Sequence, residues 1–189
     1  MKLIGVAGTN GSGKDTVGDM LAERHGFLFV SVSDLLRQEA KKRGQPIERQ
    51  VLRTISAEWR REFGLGVLVD KAIEQYKAGD YQGLVAIPMR NTGEAQHLKD
   101  LGGTLVWVDA DPRVRYDRIW SRQRTAEDNK SFEEFVTEEQ AEMHRHSSAD
   151  SATLDVAAVK GLCDIFLQNN GNNIEAFKNV AEQQLRNFL

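Results

Sequence analysis

Cysteine, proline and long apolar runs are all scarce in this sequence of 189 residues. The one cysteine, Cys163, excludes an internal disulfide framework and a cysteine-rich metal site. No apolar run approaches the roughly 20 residues needed to span a bilayer, and the N-terminus lacks the long apolar region of a signal peptide. The net charge of −3 argues against a protein that coats nucleic acid or an anionic membrane. We therefore expect a soluble, cytoplasmic protein with neither nucleic acid nor membrane as a partner.

Short apolar runs alternate with helical patterns along the chain. The runs are near-continuous, as in strands that are covered on both faces, and they span residues 3–7, 27–30, 84–87, 105–108 and 165–167. Apolar residues at helical spacing predict helices over 16–25, 47–63 and 173–188. Strands that alternate with helices predict an α/β fold, with a parallel sheet between helices on both faces. The length suggests a single domain, since domains average roughly 150 residues.

Two of these helical patterns carry well-defined apolar stripes. In the second helix the stripe advances in steps of four, through Ile47, Val51, Ile55 and Trp59. In the last helix the stripe consists of Ile174, Phe177, Val180, Ala181 and Leu185. Both stripes are expected to face the core.

A glycine-rich loop follows the first predicted strand directly. The segment GTNGSGKDT, residues 8–16, places Gly8 and Gly13 at the phosphate-loop spacing, with Lys14 next and a predicted helix after it. Glycines let backbone N–H groups turn inward, and a helix N-terminus attracts anions. Lys14 is predicted to reach the β- and γ-phosphates of a nucleotide. The other loop residues expected to bind it are Asn10, Gly11, Ser12, Asp15 and Thr16.

Asp15 departs from the usual loop pattern, in which a serine or threonine that binds Mg²⁺ follows the lysine. Because Mg²⁺ prefers carboxylate and phosphate oxygens, Asp15 can be a substitute metal ligand. Alternatively it is an acid stabilised by the helix dipole in the first turn. The sequence favours neither interpretation. It lacks the base-reading Asn/Thr-Lys-x-Asp run of GTPases, so ATP with Mg²⁺ is the expected cofactor.

Segments beyond the loop resemble those of a known family. The chain resembles the P-loop nucleoside monophosphate kinases in three segments. These are the loop, VSVSDLLRQEAKKRG at residues 30–44 and CDIFLQNNGNNIEAFKNVAEQQL at residues 163–185. The chain is more similar, over essentially its whole length, to an archaeal and bacterial branch of adenylate-kinase-like and dephospho-coenzyme-A-kinase-like proteins. The resemblance implies a phosphotransferase that transfers a phosphoryl group from ATP to a nucleoside or deoxynucleoside monophosphate, a small-molecule acceptor.

The same resemblance implies a five-stranded sheet in one P-loop kinase domain, residues 1–189, with two sub-regions. Residues 33–79 correspond to an acceptor-binding helical segment, and residues 118–131 correspond to a lid. Arg37 and Arg90 match the two arginines that hold the acceptor phosphate. Asn170 and Gly171 match the turn that lies against the donor adenine.

The sequence departs from this family at two further places. Many relatives carry an acid at the end of the third strand, where this chain has Ile87-Pro88-Met89-Arg90. The second arginine cluster of the lid is replaced by Glu138, Glu139 and Gln140. The carboxylate of Asp109, after the fourth strand, is interpreted as a partner of Arg113 at the start of the next helix.

Five arginines lie within residues 113–124, and most of them have acids at helical spacing. Arg113 and Arg115 are expected to pair with acids four residues earlier, at positions 109 and 111. Arg118 and Arg122 have no acid three or four residues away, and like charges on one helix face are unfavourable unless an anion meets them. They are therefore predicted to contact the phosphoryl group in transfer.

Asp34 admits two interpretations. In dephospho-coenzyme A kinases an aspartate after the second strand is thought to deprotonate the acceptor hydroxyl, whereas Asp34 can instead pair with Arg37 three residues on. The sequence favours the pairing. Dephospho-coenzyme A kinase remains an alternative function, and an ATP-switched binding module with weak ATPase activity is another. Neither the preferred base or sugar nor the oligomeric state can be read from the sequence.

Overall fold

A parallel sheet forms the centre of the molecule. The computed structural model describes residues 1–122, 130–143 and 151–189, and only the backbone of Arg122, Ala141 and Glu142. The strands are β1 (Lys2–Gly8), β2 (Phe27–Ser31), β3 (Gly83–Ile87), β4 (Thr104–Asp109) and β5 (Ile165–Gln168). Their order across the sheet is β2-β3-β1-β4-β5, with parallel pairing throughout. The five predicted apolar runs are therefore confirmed as strands of a parallel α/β sheet.

Helices connect the strands. They are α1 (Lys14–His25), α2 (Val32–Lys42), α3 (Arg49–Phe63), α4 (Val67–Lys77), α5 (Thr92–Asp100), α6 (Pro112–Arg122), α7 (Phe132–Met143), α8 (Val156–Leu162) and α9 (Ile174–Leu185). Side-chain oxygens begin several of them by accepting backbone N–H groups of the first turn, at Ser31, Asn91, Asp155 and Asn173. In the described part of the chain, no helix is long and apolar enough to cross a membrane.

The helices bury the sheet from both sides. Helices α1 and α9 pack against one face, where Met20, Leu21 and Phe177 lie in a core with residues of β1, β3 and β4. Helices α2, α3, α4, α5 and α8 cover the other face, where Leu68 and Leu98 are fully buried. This coverage explains why the strands are apolar at successive positions rather than at alternate ones.

Strand order places the binding crevice next to β1. The chain crosses to the far side of β1 between β3 and β4, so the connections diverge there. In open parallel sheets ligands bind at such a point, outside the carboxyl ends of the strands. The glycine-rich loop follows β1 at this position.

The prediction that both apolar stripes face the core is only partly correct. Ile55 and Trp59 are buried, but Ile47 precedes α3 and is exposed. In α9, Phe177, Ala181 and Leu185 are buried, whereas Ile174 is 62% exposed and Val180 is 48% exposed. Val180 lies at the edge of the apolar stripe, and Ile174 is the first residue of α9, so both remain in contact with solvent.

Candidate functional site

The loop between β1 and α1 has a backbone that only glycine tolerates. Gly8, Gly11 and Gly13 have φ angles of 142°, 77° and 95°. A Cβ atom at Gly8 would lie 2.0 Å from the carbonyl oxygen of Val108, and one at Gly13 would lie 2.5 Å from Nδ2 of Asn169. Backbone strain and close neighbours therefore both require these glycines, and the loop curls around the N-terminus of α1.

Lys14 lies within the concave side of this loop. Its side chain is buried, and Nζ donates a hydrogen bond to the carbonyl oxygen of Thr9 across the loop. Ser12 is also buried, and its hydroxyl has no hydrogen-bond partner among the residues that the structure describes. The loop thus places a cation and a hydroxyl where phosphate oxygens of a nucleotide would lie.

Two strand ends support the loop through contacts that the sequence did not predict. Asn169, after β5, donates from Nδ2 to the carbonyl oxygen of Ser12 at 2.8 Å. Thr9 donates from Oγ1 to the carboxylate of Asp109 at 2.7 Å. The expectation that Asp109 pairs with Arg113 is wrong, since Arg113 lies 3.4 Å from Asp117. Asp109 instead fixes the first residue of the loop.

The predicted adenine turn lies beside the loop, and Arg118 connects the two. Arg118 donates to the carbonyl oxygens of Gly11, Asn169 and Gly171. Asn170 accepts the backbone N–H of Asp111 at 2.7 Å, which ties the turn to the start of α6. The structure therefore brings together the loop, the Asn170–Gly171 turn and Arg118. The side chain of Arg122 and half of the predicted lid, residues 123–129, lie outside the described residues.

Arg115 has a different partner from the one expected. The spacing predicted a pair with Asp111, but the Asp111 carboxylate accepts the backbone N–H of Arg113 and so caps α6. Arg115 is buried and donates to both carboxylate oxygens of Glu139 on α7. It also donates to the carbonyl oxygen of Asn10 in the loop. One acid that replaces the family's lid arginines is thus linked to the glycine-rich loop through Arg115.

The acids considered as functional residues are both exposed. Asp15 lies in the first turn of α1, beside the loop. Asp34 accepts a hydrogen bond from the guanidinium of Arg37 at 2.6 Å, so the predicted pairing is confirmed. Within residues 1–122, 130–143 and 151–189, no group of three histidine, cysteine or acidic side chains could hold a metal ion by itself.

A cleft of about 240 Å³ opens between the loop, α2, α3 and the segment after β3. Asn10 of the loop forms part of its wall. The guanidinium-bearing residues that line it are Arg37, Arg49, Arg53, Arg60 and Arg90. Glu94 is the one carboxylate among the lining residues that the structure describes. The cleft is therefore strongly cationic and directly adjoins the phosphate loop.

Sequence reasoning found two of these five arginines and missed the three on α3. A signal was present, because Arg49, Arg53, Ser56 and Arg60 follow one another at steps of four, three and four. That spacing places them on one helix face, separate from the stripe of Ile55 and Trp59.

A buried ion pair forms one wall of the cleft. Arg60 contacts Oε1 of Glu94 through Nε at 2.8 Å and through its second terminal nitrogen at 2.7 Å. Arg60 also donates to Ser56 Oγ and to the carbonyl oxygen of Ala152. Burial raises the pKa of Glu94, while the charge of Arg60 opposes that rise. The two side chains of the pair are the most deeply buried charged groups in the cleft, at 3% and 1% exposed.

Comparison with known protein families relates the chain to AAA-domain and UPF0200 proteins. A family model described as an AAA domain matches residues 4–144. A UPF0200 protein of Pyrobaculum aerophilum is 31% identical over 145 residues, which are 76% of this chain and 78% of that protein. A UPF0200 protein of Methanococcus maripaludis is 24% identical over an alignment that covers 100% of this chain and 98% of that one.

Solved structures of kinases share the fold. A shikimate kinase from Bacteroides thetaiotaomicron superposes with a TM-score of 0.61 at 13% identity, and covers 97% of this chain and 98% of its own. A gluconokinase from Sinorhizobium meliloti superposes with a TM-score of 0.54 at 16% identity, over 97% of this chain and 91% of its own. At these identities the likeness shows the fold alone, which is that of P-loop kinases.

Proposed function

The chain belongs to the AAA domain family and to the UPF0200 proteins, and from that premise we propose that it transfers the γ-phosphoryl group of ATP to a nucleoside or deoxynucleoside monophosphate. The observation that carries this proposal is the cationic cleft, which shares Asn10 with the phosphate loop. An acceptor phosphate held by guanidinium groups in that cleft lies beside the donor phosphates. Such adjacency is what direct transfer between two phosphates requires.

The donor half of the site rests on the loop and its supports. The inward-turned N–H groups and Lys14 bind the β- and γ-phosphates, and Thr16 binds an α-phosphate oxygen. Arg118 holds the Asn170–Gly171 turn, and in the proposed complex this turn contacts the adenine. The absence of a guanine-reading run favours ATP over GTP.

The donor set at the start of α1 fits a magnesium ion. Mg²⁺ is commonly bound by one or two carboxylates together with substrate phosphates, so one exposed carboxylate beside the loop is sufficient. Asp15 would hold the ion from the protein side. When bound, the ion neutralises charge that develops on the transferred phosphoryl group.

The acceptor half of the site needs no general base. An oxygen of the acceptor monophosphate forms a bond to the γ-phosphorus, and the bond between that phosphorus and the β,γ-bridging oxygen breaks. The products are ADP and a nucleoside diphosphate. Arg37 and Arg90 hold and orient the acceptor phosphate, while Arg118 and Arg122 stabilise the transferred charge. Catalysis consists of positioning and electrostatic stabilisation.

The direct test is an acceptor panel with the purified protein and ATP–Mg²⁺. We expect a nucleoside diphosphate product, identified by mass, that depends on both ATP and one class of nucleoside monophosphate. ATP hydrolysis in which no acceptor is phosphorylated would contradict the kinase proposal. That outcome would favour the ATP-switched binding module.

Replacing Arg37 by alanine is expected to raise the acceptor KM by about 10- to 100-fold, the effect of losing a charged hydrogen bond to phosphate. The KM for ATP should change less than 3-fold, because Arg37 lines the acceptor cleft rather than the loop. Steady-state kinetics with each substrate varied in turn measures both constants. Arg43→Ala is the matched control, since Arg43 ends the same helix and pairs with Glu39 and Glu58. Equal effects of the two variants would show that Arg37 does not bind the acceptor phosphate.

Asp34→Asn separates the monophosphate kinase from dephospho-coenzyme A kinase. The exposed pair with Arg37 predicts less than about a 5-fold loss of activity, because such pairs contribute little energy. A general base for a hydroxyl acceptor would instead lower kcat by about 10²- to 10⁴-fold. The kcat of Asp34→Asn, measured with nucleoside monophosphate and with dephospho-coenzyme A, distinguishes the two. A large loss confined to the second acceptor would support the alternative function.

A further inference from the structure

Glu94 leaves one carboxylate oxygen without a partner inside the cleft wall. Two nitrogens of Arg60 contact Oε1 and occupy its capacity to accept hydrogen bonds. Oε2 is buried and, in the part of the chain that the structure describes, no donor meets it in hydrogen-bonding geometry. The backbone N–H and the charge of Arg90 lower the pKa of Glu94, although less than Arg60 does. Glu94 therefore keeps a strong, unused hydrogen-bond acceptor beside the arginines.

A fully ionised phosphate group cannot satisfy this oxygen. A buried acceptor without a partner is costly, so Oε2 requires an N–H or O–H group in the occupied site. The surrounding arginines select phosphate, which carries only acceptors when it is fully ionised. The donor must consequently come from a different part of the same ligand.

We propose that Glu94 is a specificity-determining residue that selects acceptors whose non-phosphate part donates a hydrogen bond to Oε2. This inference rests on the proposed function and deepens it, because it adds a requirement to the acceptor. The donor is an N–H group of the base edge or an O–H group of the sugar.

The contacts of Arg60 also indicate how the side-chain amide would be oriented in Glu94→Gln. Arg60 has only donors, so in Glu94→Gln it would hold the amide oxygen at the Oε1 position. The amide NH₂ would then occupy the position of Oε2. One substitution thus replaces an acceptor by a donor while the shape of the wall is retained, and the ligand preference should invert.

The first experiment uses the wild-type protein and four nucleotides. These are AMP, GMP, purine riboside 5′-monophosphate and 2′,3′-dideoxyadenosine monophosphate. Binding is measured by calorimetry in the absence of ATP, so that it does not depend on turnover. If the base supplies the donor, purine riboside monophosphate should bind about 10- to 100-fold more weakly than the better of AMP and GMP. If the sugar supplies it, the dideoxy nucleotide should show that loss instead.

The second experiment repeats these titrations with Glu94→Gln and with Glu74→Gln. Glu74 is exposed on α4 and carries the same charge change away from the cleft lining. We expect the discrimination to fall to less than 3-fold or to invert in Glu94→Gln, and to persist in Glu74→Gln. ATP affinity, measured in parallel, shows that the variants are folded.

The outcomes of the two proposals are distinguishable. If all four nucleotides bind the wild type with equal affinity, the role of Glu94 is overturned even where one of them is phosphorylated. Discrimination that Glu94→Gln leaves unchanged overturns it equally. If Glu94→Gln abolishes or inverts the discrimination but no nucleotide is phosphorylated, the selection by Glu94 is supported and the kinase proposal fails.

Discussion

Replacing Lys14 by alanine is expected to lower kcat/KM for ATP by about 10²- to 10³-fold or more. Lys14 is a buried cation within the phosphate loop, and removal of one preorganised donor from a developing negative charge has this magnitude in other enzymes. Folding should be retained, because the ammonium group contacts a loop carbonyl rather than the core. Product formation at varied ATP concentration measures the loss.

Lys77→Ala is the control for this prediction, since Lys77 is exposed at the end of α4. It should keep wild-type kinetics. Thermal unfolding of both variants separates a loss of charge in the loop from a loss of structure. Activity of Lys14→Ala within 5-fold of the wild type would show that the loop does not hold the donor phosphates.

Local patterns made the sheet and the phosphate loop predictable. Each strand contains a run of consecutive apolar residues, and the loop with its lysine lies within nine consecutive residues, 8–16. Helices α2, α3 and α4 fall inside the segment 33–79 that the resemblance assigned to acceptor binding. The acceptor role of that segment stays a prediction.

Contacts between distant residues could not be predicted in this way. Asn169 supports Ser12 across 157 positions, and Asp109 supports Thr9 across 100. Spacing rules relate only residues that are neighbours along one helix, so they predict that Arg115 pairs with the acid four residues earlier. Its actual partner, Glu139, belongs to another helix and lies 24 positions later. Burial favours this pair, since a buried guanidinium requires the stronger two-point contact.

The same limit applies to the cationic cleft. Arg60 and Glu94 are 34 residues apart, and neither has a sequence motif that marks it as half of a buried pair. The polar stripe on α3 was visible in the sequence, but only the fold shows that this face closes the cleft beside Arg37 and Arg90. Function at this site therefore depends on how α3 packs against the segment after β3.

Breaking the buried pair should cost the protein a large part of its stability. Arg60→Met is expected to reduce the free energy of unfolding by about 3–5 kcal/mol at neutral pH, because it leaves the carboxylate of Glu94 buried without its partner. Chemical denaturation followed by circular dichroism measures the change. In the double variant Arg60→Met/Glu94→Leu much of the loss should be recovered, since well-packed apolar residues often replace a buried ion pair without cost. A double variant as unstable as the single one would contradict an electrostatic origin.

The loss of stability should also depend on pH in a defined direction. Burial holds the pKa of Glu94 above its ordinary value of 4.5, so between the unfolded and folded pKa values the folded protein binds more protons than the unfolded one. This contribution to stability is present at low pH and is lost as the pH rises through the folded pKa. Without Arg60 the pKa rises further, so the deficit of Arg60→Met should be smallest near pH 4.5 and grow toward pH 8. A deficit that stays constant over this range would mean that Glu94 does not titrate with folding and that Arg60 acts through packing alone.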